Sequence, residues 1–272
     1  MCDICVMNVV KEKMLSRRSF FAAGAAATAA VAFGSGTTTP AMAAGHGGVF
    51  DMTHTLSEDF PTYFGAPGLA MEQAFNFAEH GFNVFNLTVN EHTGTHIDAP
   101  LHFSADGKSV DEILVENLIC PLAVIDIAAR AAQDADAQVT PDDLAAWISA
   151  NGPIPDGACV AMYSGWAAKA MTPEFRNVDG DGVMHFPGFH IEAAQMLIET
   201  TGAAAIAVDS LSLDHGPSGD FATHYNWLPS GRYGIECIAG LDLVPASGAT
   251  LVVGAPKTRG GSGGPARIFA MV

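Results

Sequence analysis

The sequence predicts an α/β fold, one domain built on a single mixed sheet, and three observations carry that reading. Of its 272 residues 49% are hydrophobic and only 15% charged, the balance of a chain that folds around a core. Short apolar runs alternate with stretches of helical pattern along most of the length. The alternation keeps no regular βαβ period, so the sheet is expected to be mixed rather than purely parallel. No internal repeat is visible.

Each element has its own signal. The first 43 residues read as an address. Ser16-Arg17-Arg18-Ser19-Phe20-Phe21 has the form of a twin-arginine export signal, followed by an apolar Ala/Gly-rich run over 22–33. Ala41-Met42-Ala43 has the small-x-small form of a cleavage point. The apolar run is shorter than the roughly 18–20 residues that span a bilayer, so no membrane anchor is expected. The arginine pair lies far in, and Met14 is an alternative start. Cys2 and Cys5 form a CxxC with no second pair, which is discounted as a metal or redox site. These features predict twin-arginine export to the periplasm or beyond.

In the remaining region, 44–272, residues 49–52 read as a strand and 60–65 as an aromatic loop. Residues 82–89 place Phe82, Val84, Leu87 and Val89 in near alternation, which predicts a half-buried strand running into His92. Ser109 and Glu112 have capping-box spacing and open a short helix. Residues 122–127 read as a buried strand and 131–138 as a solvated connection. Thr140 followed by Pro141 predicts an N-cap and a helix to about residue 150. A strand over 158–163 follows. A helix over 191–200 should turn Ala194, Leu197 and Ile198 inward and close at Gly202. Strands over 205–208, 250–253 and 267–271 complete the set. The glycine-rich run 260–264 opens no helix, so it is not a phosphate cradle.

Charge narrows the function. The whole chain has net charge −17, and residues 44–272 carry eight basic and 27 acidic residues, net −19. Such a chain lacks the basic footprint that holds phosphate backbones, which excludes nucleic acid as a partner. Cys120, Cys159 and Cys237 are odd in number and sit in apolar surroundings, so buried free thiols are expected.

The chemistry concentrates in residues 91–102. His92, His96, Asp98 and His102 fall within eleven positions, a ligand mix suited to Zn²⁺, Mn²⁺ or Fe²⁺. No Glu follows His92 and Gly94 breaks the run, so this is not a HExxH helix; the groups should converge from a loop at a strand end. His54, His80, His185, His190 and His215 are read as structural.

The string His92-x-Gly94-Thr95-His96-x-Asp98-x-Pro100-x-His102 resembles the signature of the metal-dependent cyclase family, which includes bacterial kynurenine formamidases and isatin hydrolases. The resemblance extends to 51–54, 186–194, 208–214 and 260–267. It implies a swivelling β/β/α type of fold and a homodimer or higher homo-oligomer. It also implies a metal site for two ions, zinc or manganese: His92, His96 and Asp98 for one, and Asp98 with His224 and Glu236 for the second. His224 and Glu236 are not paired by any signal of their own. The isatin-hydrolase branch, with one manganese, lacks this Glu, so the resemblance points to the two-metal branch.

The implied activity is hydrolysis of a carbon–nitrogen bond in a small aromatic amide, arylformamidase-like, by metal-activated hydroxide. His102, tethered by Pro100, would be the catalytic general base; its competing role is an extra ligand. Ring-opening of a cyclic amide such as isatin, or of a lactone, is the rival reaction. A non-catalytic periplasmic metal-binding protein is the alternative of another class. Tyr63, Phe64, Trp166 and Phe189 are candidates to face a planar substrate, with core packing the competing role of each.

Overall fold

A computed structural model describes residues 48–272; the expected export signal, its cleavage point and the Cys2/Cys5 pair lie outside the described residues. The chain runs β1 (Val49–Asp51), β2 (Leu69–Phe75), α1 (Phe77–His80), β3 (Val84–Val89) and β4 (His96–Asp98). It continues with β5 (Ile119–Asp126), α2 (Ala128–Ala131), β6 (Gln138–Val139), α3 (Pro141–Asn151), β7 (Cys159–Tyr163) and β8 (Gly188–Phe189). Then come α4 (Ile191–Thr200), β9 (Ala205–Val208), α5 (Ala222–Trp227), β10 (Tyr233–Glu236), β11 (Ala249–Gly254), β12 (Gly263–Pro265) and β13 (Arg267–Met271).

Nine strands form one mixed sheet in the order β1-β13-β11-β5-β7-β9-β10-β4-β12. The central strands β5, β7, β9 and β10 are parallel, and the outer pairs are antiparallel. β12 is the last strand of that order and β13 the second, yet only Ala266 separates them in the chain. The sheet must therefore curl until its two ends meet. Ala266 seals the junction by donating its N–H to the Thr95 carbonyl at 2.9 Å.

Both faces of the central strands are buried, as parallel strands require. Ala123, Ile125, Val160, Met162, Ile206 and Val208 pack with Leu144, Trp147, Ala194 and Leu197 of the helices. Their alternating neighbours Leu122, Val124, Ala161, Ala205 and Ala207 face the inside of the curl with Ile97, Ile235, Leu251 and Ile268. The three cysteines of this region are free and buried, as expected.

The Thr140 cap is present, its hydroxyl accepting from Asp143 N–H and Asp143 reaching back to the Thr140 N–H. The Ser109–Glu112 box opens a 3₁₀ turn over Val110–Glu112. α4 spans the expected residues but closes at Thr201, whose N–H bonds to the Leu197 carbonyl; Ile198 is half-buried. Gly202 serves a close approach instead, since a Cβ there would stand 2.5 Å from Asp156 Oδ1. The stretch 131–138 is exposed only at 132–134, because Ala131 and Ala137 join the core.

The largest departure is at 82–89. β3 forms, but every residue in it is exposed, because it pairs only with β2 in a separate two-stranded sheet. Among the described residues no helix is long and apolar enough to cross a membrane.

Candidate metal centre

The site begins with the pleat of β4. Successive side chains on a strand point to opposite faces. Ile97 therefore enters the core while His96 and Asp98, both buried, share the other face. β10 runs antiparallel beside it with Glu236 opposite His96 and Gly234 opposite Asp98. On the other side β12 places Gly263 opposite Asp98. Both neighbours of Asp98 are thus glycines, and the room is used. A Cβ on Gly234 would lie 3.3 Å from Asp98 Oδ2 and 2.8 Å from Leu213 Cδ1, and one on Gly263 would meet the Ile97 carbonyl at 2.2 Å.

Loops and one short helix bring the rest. Gly94, at φ +65, turns the chain between His92 and His96. His102 comes from a 3₁₀ turn over Pro100–Phe103, and its ring stacks on His92 with centroids 3.8 Å apart. His224 lies on α5, whose start is held by Asp214: its carboxylate accepts from Thr223 N at 2.7 Å and His224 N at 3.1 Å.

Two groups of possible ligands result, His92–His96–Asp98 and Asp98–His224–Glu236, with the ligand atoms within each lying within 4.8 Å of one another. The predicted residues do converge, and Asp98 belongs to both groups. His96 Nε2 is 3.3 Å from both Asp98 Oδ1 and Glu236 Oε2. His224 Nε2 is 3.1 Å from Glu236 Oε1 and 3.8 Å from Asp98 Oδ2.

Hydrogen bonds on the far side of each ring fix its tautomer. His96 Nδ1 faces the Gly94 carbonyl at 2.8 Å, an atom that can only accept, so Nδ1 donates and Nε2 points inward. His224 Nδ1 donates likewise to Asp214 Oδ2 at 2.6 Å. His92 Nε2 lies 3.1 Å from Ser262 Oγ, whose proton goes to Glu91 Oε2 at 2.6 Å; the serine therefore accepts from His92. In its neutral form His92 then turns the lone pair of Nδ1 toward Asp98 Oδ1, 2.7 Å away. Two acceptors face to face call for a proton or a metal cation between them.

Other features agree with that need. His96 Nε2 and Asp98 Oδ2 are buried with no hydrogen-bond partner among the described residues. Burial disfavours charge on His96, yet Asp98 and Glu236 raise it to about 10. Burial also opposes a charged His224, but its hydrogen bond to Asp214 and the nearby carboxylates of Asp98 and Glu236 hold it well above its ordinary value. Asp98 is buried too, and the His96 charge with the His224 and His92 rings close by takes it well below the usual carboxylate range. Burial and Asp98 push Glu236 up, but the His224 and His96 rings beside it leave it below its ordinary value. Protons on the imidazoles thus balance a buried pair of carboxylates. A divalent cation can do the same once it displaces them. The donor set, nitrogen and carboxylate oxygen, fits such an ion.

His92, His96, His102, His224 and Glu236 line a cavity of about 310 Å³. Tyr63 and Phe64 of the aromatic loop reach its wall, as do Phe103 and Phe221. Phe103 lies 4.6 Å from the His224 ring, centroid to centroid, and 5.7 Å from Phe221. Trp166 and Phe189 are buried in the core and do not line it. Phe103, Phe221, Asp214, Ser262 and Glu91 carried no signal for these roles in the sequence. Three further histidines have structural surroundings: His54 packs on Phe60 and Phe175, His190 caps α4, and His185 sits between Asp136 and Asp179.

Comparison with known proteins completes the picture. The model of the family described as "Putative cyclase" matches residues 50–215. An isatin hydrolase of Roseibium aggregatum is 33% identical over 196 residues, 68% of this chain and 73% of that protein. A kynurenine formamidase of Bacillus thuringiensis is 38% identical over 79 residues, 29% of this chain and 38% of its own length. Among solved structures, isatin hydrolase A from Labrenzia aggregata, bound to benzyl benzoate, superposes with a TM-score of 0.78 at 35% identity, covering 83% of this chain and 93% of that one. An isatin hydrolase bound to the product analogue thioisatinate gives 0.79 at 27% identity, covering 95% and 99%. With a curled mixed sheet and a histidine–carboxylate centre of its own, this chain belongs to the cyclase family.

Proposed function

We propose that this protein is a metal-dependent hydrolase that cleaves the carbon–nitrogen bond of a small, flat aromatic amide. The observation that carries the reading is Asp98, shared between two ligand groups beside an aromatic cavity, with a buried oxygen that none of the described residues satisfies. His92, His96 and Asp98 would hold one divalent ion, and Asp98, His224 and Glu236 a second, zinc or manganese. A divalent ion in such a site acidifies water and polarises a carbonyl oxygen.

The chain's own residues do the rest. Asp214, Gly94 and Ser262 hold the three imidazoles with one nitrogen committed outward. Phe103, Phe221 and Tyr63 offer faces against which a planar ring can lie and keep bulk water from the reacting bond. His102 is the general base. Burial lowers it to about 4, so its ring is neutral at physiological pH and open to a proton. It would return that proton to the leaving nitrogen. The twin-arginine signal would deliver the folded enzyme to the periplasm or the exterior.

Two substrate types fit. An open-chain aryl formamide is one, supported by the likeness to kynurenine formamidases and by the presence of Glu236. The other is a cyclic amide of the isatin type, supported by likeness to isatin hydrolases over most of the chain. The test is metal content and hydrolysis of N-formylkynurenine and isatin by one preparation, before and after chelation. Cleavage lost on chelation, restored by zinc or manganese and lowered at least about a hundredfold in His102→Ala supports the reading. A protein that binds no metal after reconstitution overturns it.

A further inference from the structure

The aromatic wall of the cavity has a support behind it. Residues 61–64 and 66–68 form one side of the cavity, with Tyr63 and Phe64 among them. This stretch belongs to no helix or strand, so packing and a few hydrogen bonds must hold its shape. Two of those bonds are internal: Gly65 N donates to the Thr62 carbonyl at 3.1 Å, and Thr62 Oγ1 donates to the Ala66 carbonyl at 2.6 Å. They curl the loop into a tight turn, with Gly65 at φ +74. The third comes from outside. Arg176 Nη2 donates to the Tyr63 carbonyl at 3.0 Å, and among the described residues it is the one hydrogen bond that ties 61–67 to the rest of the fold.

We propose that Arg176 is a positioning residue for the substrate, holding the 61–67 loop from behind so that Tyr63 and Phe64 present their rings to the cavity. This rests on reading the cavity as the seat of a flat aromatic amide. Arg176 is not itself part of the cavity lining, so it acts through the loop. Its own anchor is firm. It follows the 3₁₀ turn Pro173–Phe175, and Phe175 is fully buried, its carbonyl accepting from Trp166 Nε1 at 2.9 Å. Phe175 also packs edge-on against Phe60 at the start of the loop, ring centroids 6.0 Å apart. One segment therefore grips the loop at its base, through Phe60, and at its turn, through the guanidinium. The fit at the turn is close. A Cβ on Gly65 would lie 2.9 Å from Arg176 Nη1 and 3.2 Å from Cζ, so the guanidinium fills the space a side chain there would take. A planar fork can donate with one nitrogen while the rest of it covers the glycine; a lysine ammonium brings a point charge and no plate. On the cavity side Tyr63 lies 5.2 Å from Phe64 and 5.7 Å from Phe221, and Phe221 5.8 Å from His224, centroid to centroid. The ligand imidazoles are held by Gly94, Asp214 and Ser262, not by this loop. Losing Arg176 should therefore loosen substrate binding and spare the chemical step.

The test compares the wild-type full chain, loaded with zinc or manganese, with Arg176→Ala, Arg176→Lys and, as a control for lost charge, Arg130→Ala, whose partner Asp143 lies on α3. For whichever of N-formylkynurenine and isatin the wild type cleaves, Arg176→Ala should raise KM about tenfold and leave kcat within about twofold. Metal content should not change. Arg176→Lys should recover part of the affinity, and guanidinium ion added to Arg176→Ala should bring KM back toward the wild-type value. Arg130→Ala should keep the wild-type KM. Gly65→Ala, which pushes on the guanidinium from the loop side, should raise KM in the wild type and less so in the Arg176→Ala background. Hydrogen exchange gives a reading that needs no turnover. The Gly65 amide should exchange at least about tenfold faster in Arg176→Ala, while the His224 amide, bonded to Asp214, stays as it was. If the wild type cleaves neither compound, the hydrolase reading fails on its own. Loop exchange then decides this proposal together with the affinity for benzamide, expected to drop about tenfold in Arg176→Ala. An unchanged KM or benzamide affinity in Arg176→Ala, a loss confined to kcat, or a Gly65 amide that exchanges no faster overturns the proposal.

Discussion

Asp214 shows how much one side chain outside the two ligand groups can decide. It caps α5 with both oxygens and commits His224 Nδ1 as a donor, which leaves Nε2 directed at Glu236 and Asp98. Asp214→Asn keeps the size but can offer a donor where His224 needs an acceptor. Metal affinity, measured by competition with a chelating dye, should fall about 10–100-fold while the fold is retained. Asp209 answers a different question, about pH. It is buried, accepts from Ser164 N, Ser164 Oγ and Trp166 N, and is raised by burial to about 6. Its folded value lies above the unfolded one, so the folded state binds its proton more tightly. The stability this proton contributes is complete below about pH 4 and is lost as pH rises through about 6, on the order of 3 kcal/mol. Urea titrations between pH 4 and 7 should show that decline superposed on other groups, and Asp209→Asn should remove it. Of the site's residues, the 91–102 cluster was legible because four potential ligands, three histidines and an aspartate, crowd eleven positions. Asp214, Ser262 and Glu91 were not, because a carboxylate or hydroxyl that orients another side chain carries no spacing rule of its own.

Elements with a local signal formed where their residues called for them. Thr140 and Pro141 fix the start of α3 through contacts three residues away, and such short-range chemistry is readable without the fold. Thr140→Ala should cost about 1 kcal/mol in thermal or chemical unfolding, with no effect on metal content. β4, β10 and β12 had no comparable signal. β4 is three residues of which two are polar, His96 and Asp98, and it is a strand because β10 and β12 hold it on both sides. Neighbours distant in sequence decided it, which no local window contains. The exposed β3 is the reverse case. The alternation at 82–89 correctly predicted a strand, but which surface buries its apolar face is not written in the chain's local pattern.

Across the whole molecule, the same centre links stability to cation binding. His96 and His224 retain protons because two buried carboxylates would otherwise lack a counter-charge. A cation that binds only the folded state stabilises it in proportion to the logarithm of its concentration over Kd. Chelated protein should therefore melt several degrees lower than protein with saturating zinc or manganese, and the shift should grow with added metal. A scan showing no metal dependence would count against the shared-carboxylate centre. The overall architecture was legible as one mixed sheet, since apolar runs without βαβ regularity admit little else. The curl was not legible, because it follows from strand order.

That curl bears on synthesis. β12 and β13 flank Ala266 and join the two ends of the sheet, and Ile268 N bonds to Thr53 Oγ1 across 215 positions of chain. A ribosome releases His92, His96 and Asp98 long before β12 and β13, the strands that close the sheet behind them. A nascent chain can hold every proposed ligand and still have no centre. Disruption of β13, which contains none of the ligands, would leave it in that unfinished state.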